Sequence, residues 1–265
     1  MNKTHTSFGK PNIYHSHPES KGEAVLVVPG FSETITHSKK LTYSLGNEGF
    51  NAFTFSPPRK GGAIEKTDPI KRQSKIILEI LDASVSQEQK VIGVAHSLGS
   101  AALLKAAQEA PERFSQLVLM QPVGLAGEHS FGNLLRRVGR KTVKNHINAW
   151  RGERGVFRHV TSAHFAAASV LAKHPALAIR EAHAVGKYDA ADDISNVVAM
   201  GIPVHIVVSD TDEMFDKEKL SASYEDISVR ASSYSKVSED YPGHDTFWMH
   251  PQATASLVKA VLTEH

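Results

Sequence analysis

The 265-residue sequence contains no cysteine, so neither a disulfide framework nor thiolate chemistry can carry its fold or its function. That fits a reducing compartment and leads to the expectation of a cytoplasmic protein. Net charge is nearly absent too: 30 basic against 28 acidic side chains leave +2, too little for the chain as a whole to bind nucleic acid. The opening MNKTHTSFGKPNIYHSHPES lacks the apolar stretch of a secretory signal. The longest apolar runs, such as EAVLVVPGF, are far too short to span a bilayer. The 15 histidines are scattered, with no metal-ligand spacing of the H-E-x-x-H kind, and no glycine-rich phosphate loop follows a candidate strand. No metal and no cofactor are expected. Internal repeats, low-complexity tracts and Pro- or Ser-rich linkers are missing as well.

What is present is 41% hydrophobic and 22% charged residues, enough to bury one sizeable core. Short apolar or β-branched runs bounded by Gly, Pro and polar residues predict strands at AVLVV (24–28), FNAFTF (50–55), KVIGVA (90–95), QLVLMQ (116–121) and PVHIVV (203–208). A weaker signal covers Val229 to Val237. Segments long enough for crossover helices lie between most of them, notably Asp68 to Val85 and Ser97 to Ala110. Such alternation implies a doubly wound α/β fold on a mainly parallel sheet. The stretch from Gly124 to about Asn196 has room for more than one helix before the next strand. It reads as an inserted helical cap, dividing the chain into core (1–123), cap (124–195) and core (196–265).

Open parallel sheets bind ligands beyond the carboxyl ends of their strands. Three strand ends here carry chemistry. KVIGVA runs into His96-Ser97-Leu98-Gly99, PVHIVV into SDTDEMF, and the weak last strand into DYPGHDTFW with His244. Ser97 is framed by the small residues Ala95 and Gly99, which a sharp strand-to-helix turn requires. The order serine, acid, histidine (Ser97, Asp212, His244) is that of nucleophile-elbow hydrolases. A serine hydroxyl needs a base to take its proton as it attacks, and imidazole titrates in the right range. A carboxylate on the other ring nitrogen fixes the tautomer and stabilises the imidazolium.

On these residues the chain resembles the α/β-hydrolase superfamily from about Ala24 onward, and most closely the lid-bearing monoacylglycerol-lipase and serine-aminopeptidase group. VVPGF resembles the oxyanion loop H-G-F, AHSLG the elbow G-x-S-x-G, and PGHD the G-H that completes the triad. Ala95 replaces the first elbow glycine, Pro29 the loop histidine, and SPPRKGG (56–62) stands where many relatives carry D-x-R-G-x-G. The resemblance implies Ser97 as nucleophile, His244 as base and Asp212 as its orienting acid. Asp210 is the competing acid, and Asp212 is preferred because the family acid falls three residues after a small residue, here Ser209. It further implies an oxyanion hole from the backbone N–H groups of Leu98 and Phe31. The activity it implies is cofactor-independent hydrolysis of a small-molecule carboxylic ester through an acyl-enzyme, with thioester, lactone or amide behind it. The alternatives are acyl transfer or C–C bond hydrolysis with the same triad, and a ligand-binding or receptor protein that keeps the scaffold without turnover.

Other polar residues have plainer readings. His96 reads as a packing residue beside the elbow, and His205 as a satisfied core histidine. Asp68, Asp82, Asp192 and Asp193 read as helix caps or solvated charges. Within the cap, Gly124 to Arg180 holds ten basic residues and two acidic ones, +8 in a chain whose total is +2. Phe131, Leu134, Leu135 and Val138 recur at i, i+3, i+4 and i+7, with Arg136, Arg137, Arg140, Lys141 and Lys144 around them. This basic amphipathic helix either packs on the core, or lines an acyl pocket with its apolar side while its charges attract an anionic substrate or a lipid surface.

Overall fold

The run AVLVV has two faces to satisfy. Ala24, Leu26 and Val28 join one buried cluster with Ile76, Ile77, Ile80 and Leu103, while Val25 and Val27 join another with Leu41, Leu45 and Val258. A strand covered on both sides reads as continuously apolar, which is why it was visible in the sequence. In the computed structural model, which describes residues 6–17, 19, 21–30, 33–58, 67–125, 161, 165, 168–169, 172–209, 212, 226–237, 244 and 246–263, this strand sits inside a seven-stranded sheet.

The strands are β1 (Asn12–His15), β2 (Ala24–Val28), β3 (Asn51–Ser56), β4 (Val91–His96), β5 (Phe114–Met120), β6 (Val204–Ser209) and β7 (Ser233–Val237), in the order β1-β3-β2-β4-β5-β6-β7. All neighbours run parallel except β1, which pairs antiparallel with β3 at the edge. The helices are α1 (Ile35–Asn47), α2 (Pro69–Ser84), α3 (Leu98–Glu109), α4 (Pro175–Lys187), α5 (Ala191–Ala199), α6 (Thr246–Met249) and α7 (Pro251–Thr263). Buried side chains of α1, α6 and α7 meet one face of the sheet, and those of α2, α3 and α5 meet the other. The sheet is therefore doubly wound and mainly parallel, as expected. After β2 the chain adds β3 on one side, and then returns to add β4 on the other. That reversal opens a crevice beyond the carboxyl ends of β2 and β4, where the loop after Val28 and the turn at Ser97 meet.

Local signals explain the element ends. Asp68 caps α2, its side chain accepting from the N–H groups of Ile70 and Lys71, and Pro69 occupies the first helical position, where no N–H is missed. The expected strand at 229–237 is shorter: residues 226–230 are helical and only Ser233–Val237 pairs with β6. The strand β1 and the polar helix α1 were not singled out in the sequence. The boundary drawn between residues 195 and 196 falls inside α5. Among the described residues no helix is long and apolar enough to cross a membrane.

Two polar readings need correction. Asp193 is neither a cap nor a solvated charge: it is buried, bonded to Lys105 Nζ at 2.6 Å and Gln108 Nε2 at 2.8 Å, and accepts from the Tyr188 hydroxyl. Burial pushes the Asp193 carboxyl up, but these three donors outweigh it and its pKa lies below the ordinary value. Asp82 is exposed, yet paired with the buried Arg113 at 2.5 Å. His205 is fully buried and satisfied, by Ser233 Oγ at 2.8 Å and Gln116 Oε1 at 3.1 Å.

Candidate active site

The strand β4 ends in a backbone conformation that few side chains adopt. Ser97 has φ 51° and ψ −122°, a strained geometry for a residue with a Cβ. It is held by neighbours on both sides: Ser97 N–H donates to Met120 O at 3.1 Å, and the turn carries straight into α3. Ala95 is fully buried, consistent with the small side chain the turn demands. At Gly99 any side chain would collide with the main chain of β2. Although Ser97 is the N-cap of α3, its hydroxyl makes no capping bond, which leaves it for another partner.

That partner is His244. Its Nε2 lies 3.0 Å from Ser97 Oγ, and its Nδ1 lies 2.8 Å from Asp212 Oδ2, so the ring stands between hydroxyl and carboxylate. All three side chains are buried, Ser97 to 7% exposure, His244 to 4% and Asp212 to 1%. With the Nδ1 proton on the carboxylate side, Nε2 presents a lone pair to the hydroxyl. Asp212 is set by a turn at the end of β6, its N–H donating to Ser209 O at 3.1 Å. Gln121, with φ 48°, steadies that strand end by accepting the Ser209 N–H at 3.1 Å. Gln121 carries no signal in the sequence pattern.

Leu98 opens α3 and is buried, so its amide lies at the helix N-terminus, where partial positive charge collects. Phe31, the other expected oxyanion donor, lies outside the described residues, as do Asp210 and the four apolar residues Phe131, Leu134, Leu135 and Val138.

The reading of His96 as a packing residue is incomplete. Its ring does stack on Phe247, with centroids 4.9 Å apart, but both nitrogens are engaged: Nδ1 lies 2.6 Å from Glu33 Oε1, and Nε2 lies 2.8 Å from the main-chain oxygen of His244. Glu33, missed in the sequence, also accepts the Gly30 N–H through Oε2 at 2.6 Å. Burial pushes the Glu33 carboxyl up, but the facing His96, then His37 and the Gly30 amide, outweigh it and hold it below the ordinary carboxylate value. Because a carbonyl oxygen only accepts, His96 Nε2 carries a proton. Its Nδ1 faces the Glu33 carboxylate, so the ring joins that side chain to the His244 main chain.

A doubly wound parallel sheet with a strained serine after its central strand, and a histidine and acid brought in from later strand ends, is the architecture of an α/β hydrolase. The chain belongs to the serine aminopeptidase S33 family, whose model matches residues 19–244. Solved structures share the fold at low identity. A thermophilic esterase from Thermogutta terrifontis superposes with a TM-score of 0.72 over 99% of this chain and 97% of its own, at 16% identity. A carboxylesterase from Bacillus subtilis gives 0.62 over 98% and 90%, at 15% identity. An enol-lactonase from Burkholderia xenovorans gives 0.68 over 96% of each chain, at 12% identity. Likeness at these identities establishes the fold alone. No curated protein matches the sequence.

Proposed function

We propose that the protein is a serine hydrolase that cleaves a small carboxylic ester through an acyl-enzyme. Ser97 Oγ attacks the ester carbonyl while His244 Nε2 takes its proton, and Asp212 holds the ring and stabilises the imidazolium that forms. The amides of Leu98 and Phe31 stabilise the oxyanion of the tetrahedral intermediate. His244 then protonates the leaving alkoxide, and a water activated by the same ring releases the acid and restores Ser97. Residues 124–195 act as a cap over this site, with the basic amphipathic helix at Phe131 to Lys144 bordering the acyl pocket and offering charge to an anionic substrate or lipid surface.

The single observation that carries the reading is the unbroken line from Ser97 Oγ through the His244 ring to Asp212, at 3.0 Å and 2.8 Å. Ester in preference to amide draws support from the esterases and the lactonase among the structural relatives. The family's peptidase name makes an amide the competing substrate. A panel of p-nitrophenyl esters of increasing chain length, beside an aminoacyl p-nitroanilide and a fluorophosphonate probe, tests the reading. Ester turnover and probe labelling that both vanish in Ser97→Ala, with kcat falling about 10⁴-fold or more, are expected. Turnover undiminished in that variant removes Ser97 from the mechanism, and silence of the native protein in every assay favours a binding protein on the same scaffold.

A further inference from the structure

We infer that Glu33 and His96 form a positioning pair that ties the oxyanion loop to the main chain of His244, so that one buried unit sets both the oxyanion donors and the base. The inference rests on the serine-hydrolase reading and adds to it two residues that touch no reacting atom. One carboxylate spans two elements: Glu33 Oε2 holds the Gly30 amide at 2.6 Å, and Oε1 meets His96 Nδ1 at 2.6 Å. His96 passes the constraint on, its Nε2 donating to the His244 carbonyl at 2.8 Å.

Both ends of the tie lie where small displacements matter. Gly30 immediately precedes the expected oxyanion donor Phe31 and lies directly on the elbow. A Cβ there would meet His96 O at 3.0 Å and Ser97 Cβ at 3.1 Å, so Gly30 itself has no slack against the serine. At the other end the anchored atom is the carbonyl of the histidine whose Nε2 must stay 3.0 Å from Ser97 Oγ. A displacement of about 1 Å at either end would cost on the order of 100-fold in rate. The pair itself is costly to bury, at 5% exposure for Glu33 and 1% for His96, and an apolar pair of similar volume would fill the space. Such a filler would leave the Gly30 amide and the His244 carbonyl without these partners. The His96 plane is fixed by the Phe247 ring stacked on it at an interplanar angle of 10°. His37, at the third position of α1, adds a favourable electrostatic contribution to the Glu33 carboxylate.

The test measures kcat and KM for a neutral p-nitrophenyl ester, together with thermal unfolding, in Glu33→Ala, Glu33→Gln, Glu33→Asp and His96→Phe. Glu33→Ala and His96→Phe should lower kcat about 10- to 100-fold with KM within about threefold. Glu33→Gln should recover kcat to within about fivefold, because its amide can accept from Gly30 and donate to a neutral His96. Glu33→Asp keeps the charge but is one methylene too short to span both partners, so it should lose about tenfold, and it serves where Glu33→Ala does not fold. The double variant Glu33→Ala/His96→Phe should lose no more than the worse single one, since the residues act as a unit. Native kcat in Glu33→Asp or His96→Phe, losses confined to KM, or Glu33→Gln as impaired as Glu33→Ala would each overturn the pair's role. If the native enzyme turns over esters and Ser97→Ala does not, that failure belongs to this inference alone. Activity persisting in Ser97→Ala would sink the underlying reading, and this inference with it.

Discussion

Gly99 passes so close to Pro29 that a Cβ built on it would lie 2.6 Å from the Pro29 carbonyl oxygen and 2.8 Å from that of Val28. Both obstacles are main chain of the adjacent strand end, which cannot rotate away. Alanine has the better helix propensity by up to about 1 kcal/mol, but overpacking against backbone costs about 1–3 kcal/mol and wins. Gly99→Ala should therefore lower the melting temperature and, by pushing the β2 end off the elbow, lower ester turnover as well. An unchanged or raised melting temperature would show that the two segments separate freely.

The acid is the second point open to measurement. Asp212 is the carboxylate in contact with His244 Nδ1, at 2.8 Å, whereas Asp210 lies outside the described residues. Asp212→Asn should lower kcat by about 10⁴-fold, because an amide at that place favours the wrong tautomer. Asp210→Asn should stay within about tenfold of the native rate. The reverse order of losses, read from kcat on one ester, would transfer the role to Asp210.

These residues were legible in the sequence because each follows an element with a local signature. The doubly buried strands show as continuous apolar runs, and α2 shows through Asp68 and Pro69 at its start. The hidden parts are non-local or poorly patterned. β1, with sequence NIYH, has only exposed and half-buried positions, and it is defined by antiparallel bonds to β3 across the sheet edge. In α1 the buried face is largely His37, Ser38, Thr42 and Ser44, so its apolar stripe reduces to Leu41 and Leu45. Glu33 and His96 stand 63 positions apart, and no spacing rule links two polar residues at that distance. Glu33, just before the cap Thr34, looks like any acid favoured at a helix start.

Depressed and raised pKa values predict how stability responds to pH. For Glu33, folding lowers the pKa below its ordinary 4.5, so its contribution is present above that value and is lost as acidification approaches the folded pKa. Asp193 behaves in the same direction from 3.8. The melting temperature should fall below about pH 4.5, and less steeply in Glu33→Gln, which takes up no proton. Tyr188 is opposite in sign: burial first, then Asp193, raises its pKa above the ordinary 10.0, so its contribution is present below that pH and is lost above it. Tyr188→Phe should flatten the alkaline fall measured between about pH 9 and 11. Parallel curves for native and variant proteins would remove these groups as the cause.

Charge on the proposed cap is tested by salt. The +8 between Gly124 and Arg180 attracts an anionic substrate only over the Debye length, about 10 Å at 0.1 M and about 3 Å at 1 M. kcat/KM for an anionic ester should fall with added salt, and with neutralisation of Arg136, Arg137 and Arg140, while a neutral ester of equal chain length is unaffected. Equal responses of the two esters would show that these charges take no part in attracting substrate.

Buried polar contacts attach α4 to the core. Arg72 of α2 meets Glu181 of α4 at 2.9 Å, with side chains only 2% and 6% exposed. A second tie, Arg180 Nη2 to Thr67 O at 2.6 Å, holds the same helix to the start of α2. On the same helix Ala182 and Val185 pack in a cluster with Ile70, Ala101, Val123 and Leu98, the residue after Ser97. Removing one charge takes a close, buried partner from the other, which costs up to about 3–5 kcal/mol, while replacing both by apolar groups is near neutral or stabilising. Glu181→Leu alone should thus lower the melting temperature and, through the loosened contact at Leu98, lower ester turnover. Adding Arg72→Met should restore stability. If turnover returns with it, the pair acts by holding α4 against the elbow; if stability returns and turnover does not, the charges themselves shape the site. A double variant as unstable as the single one would show that the Arg72 site does not tolerate an apolar side chain.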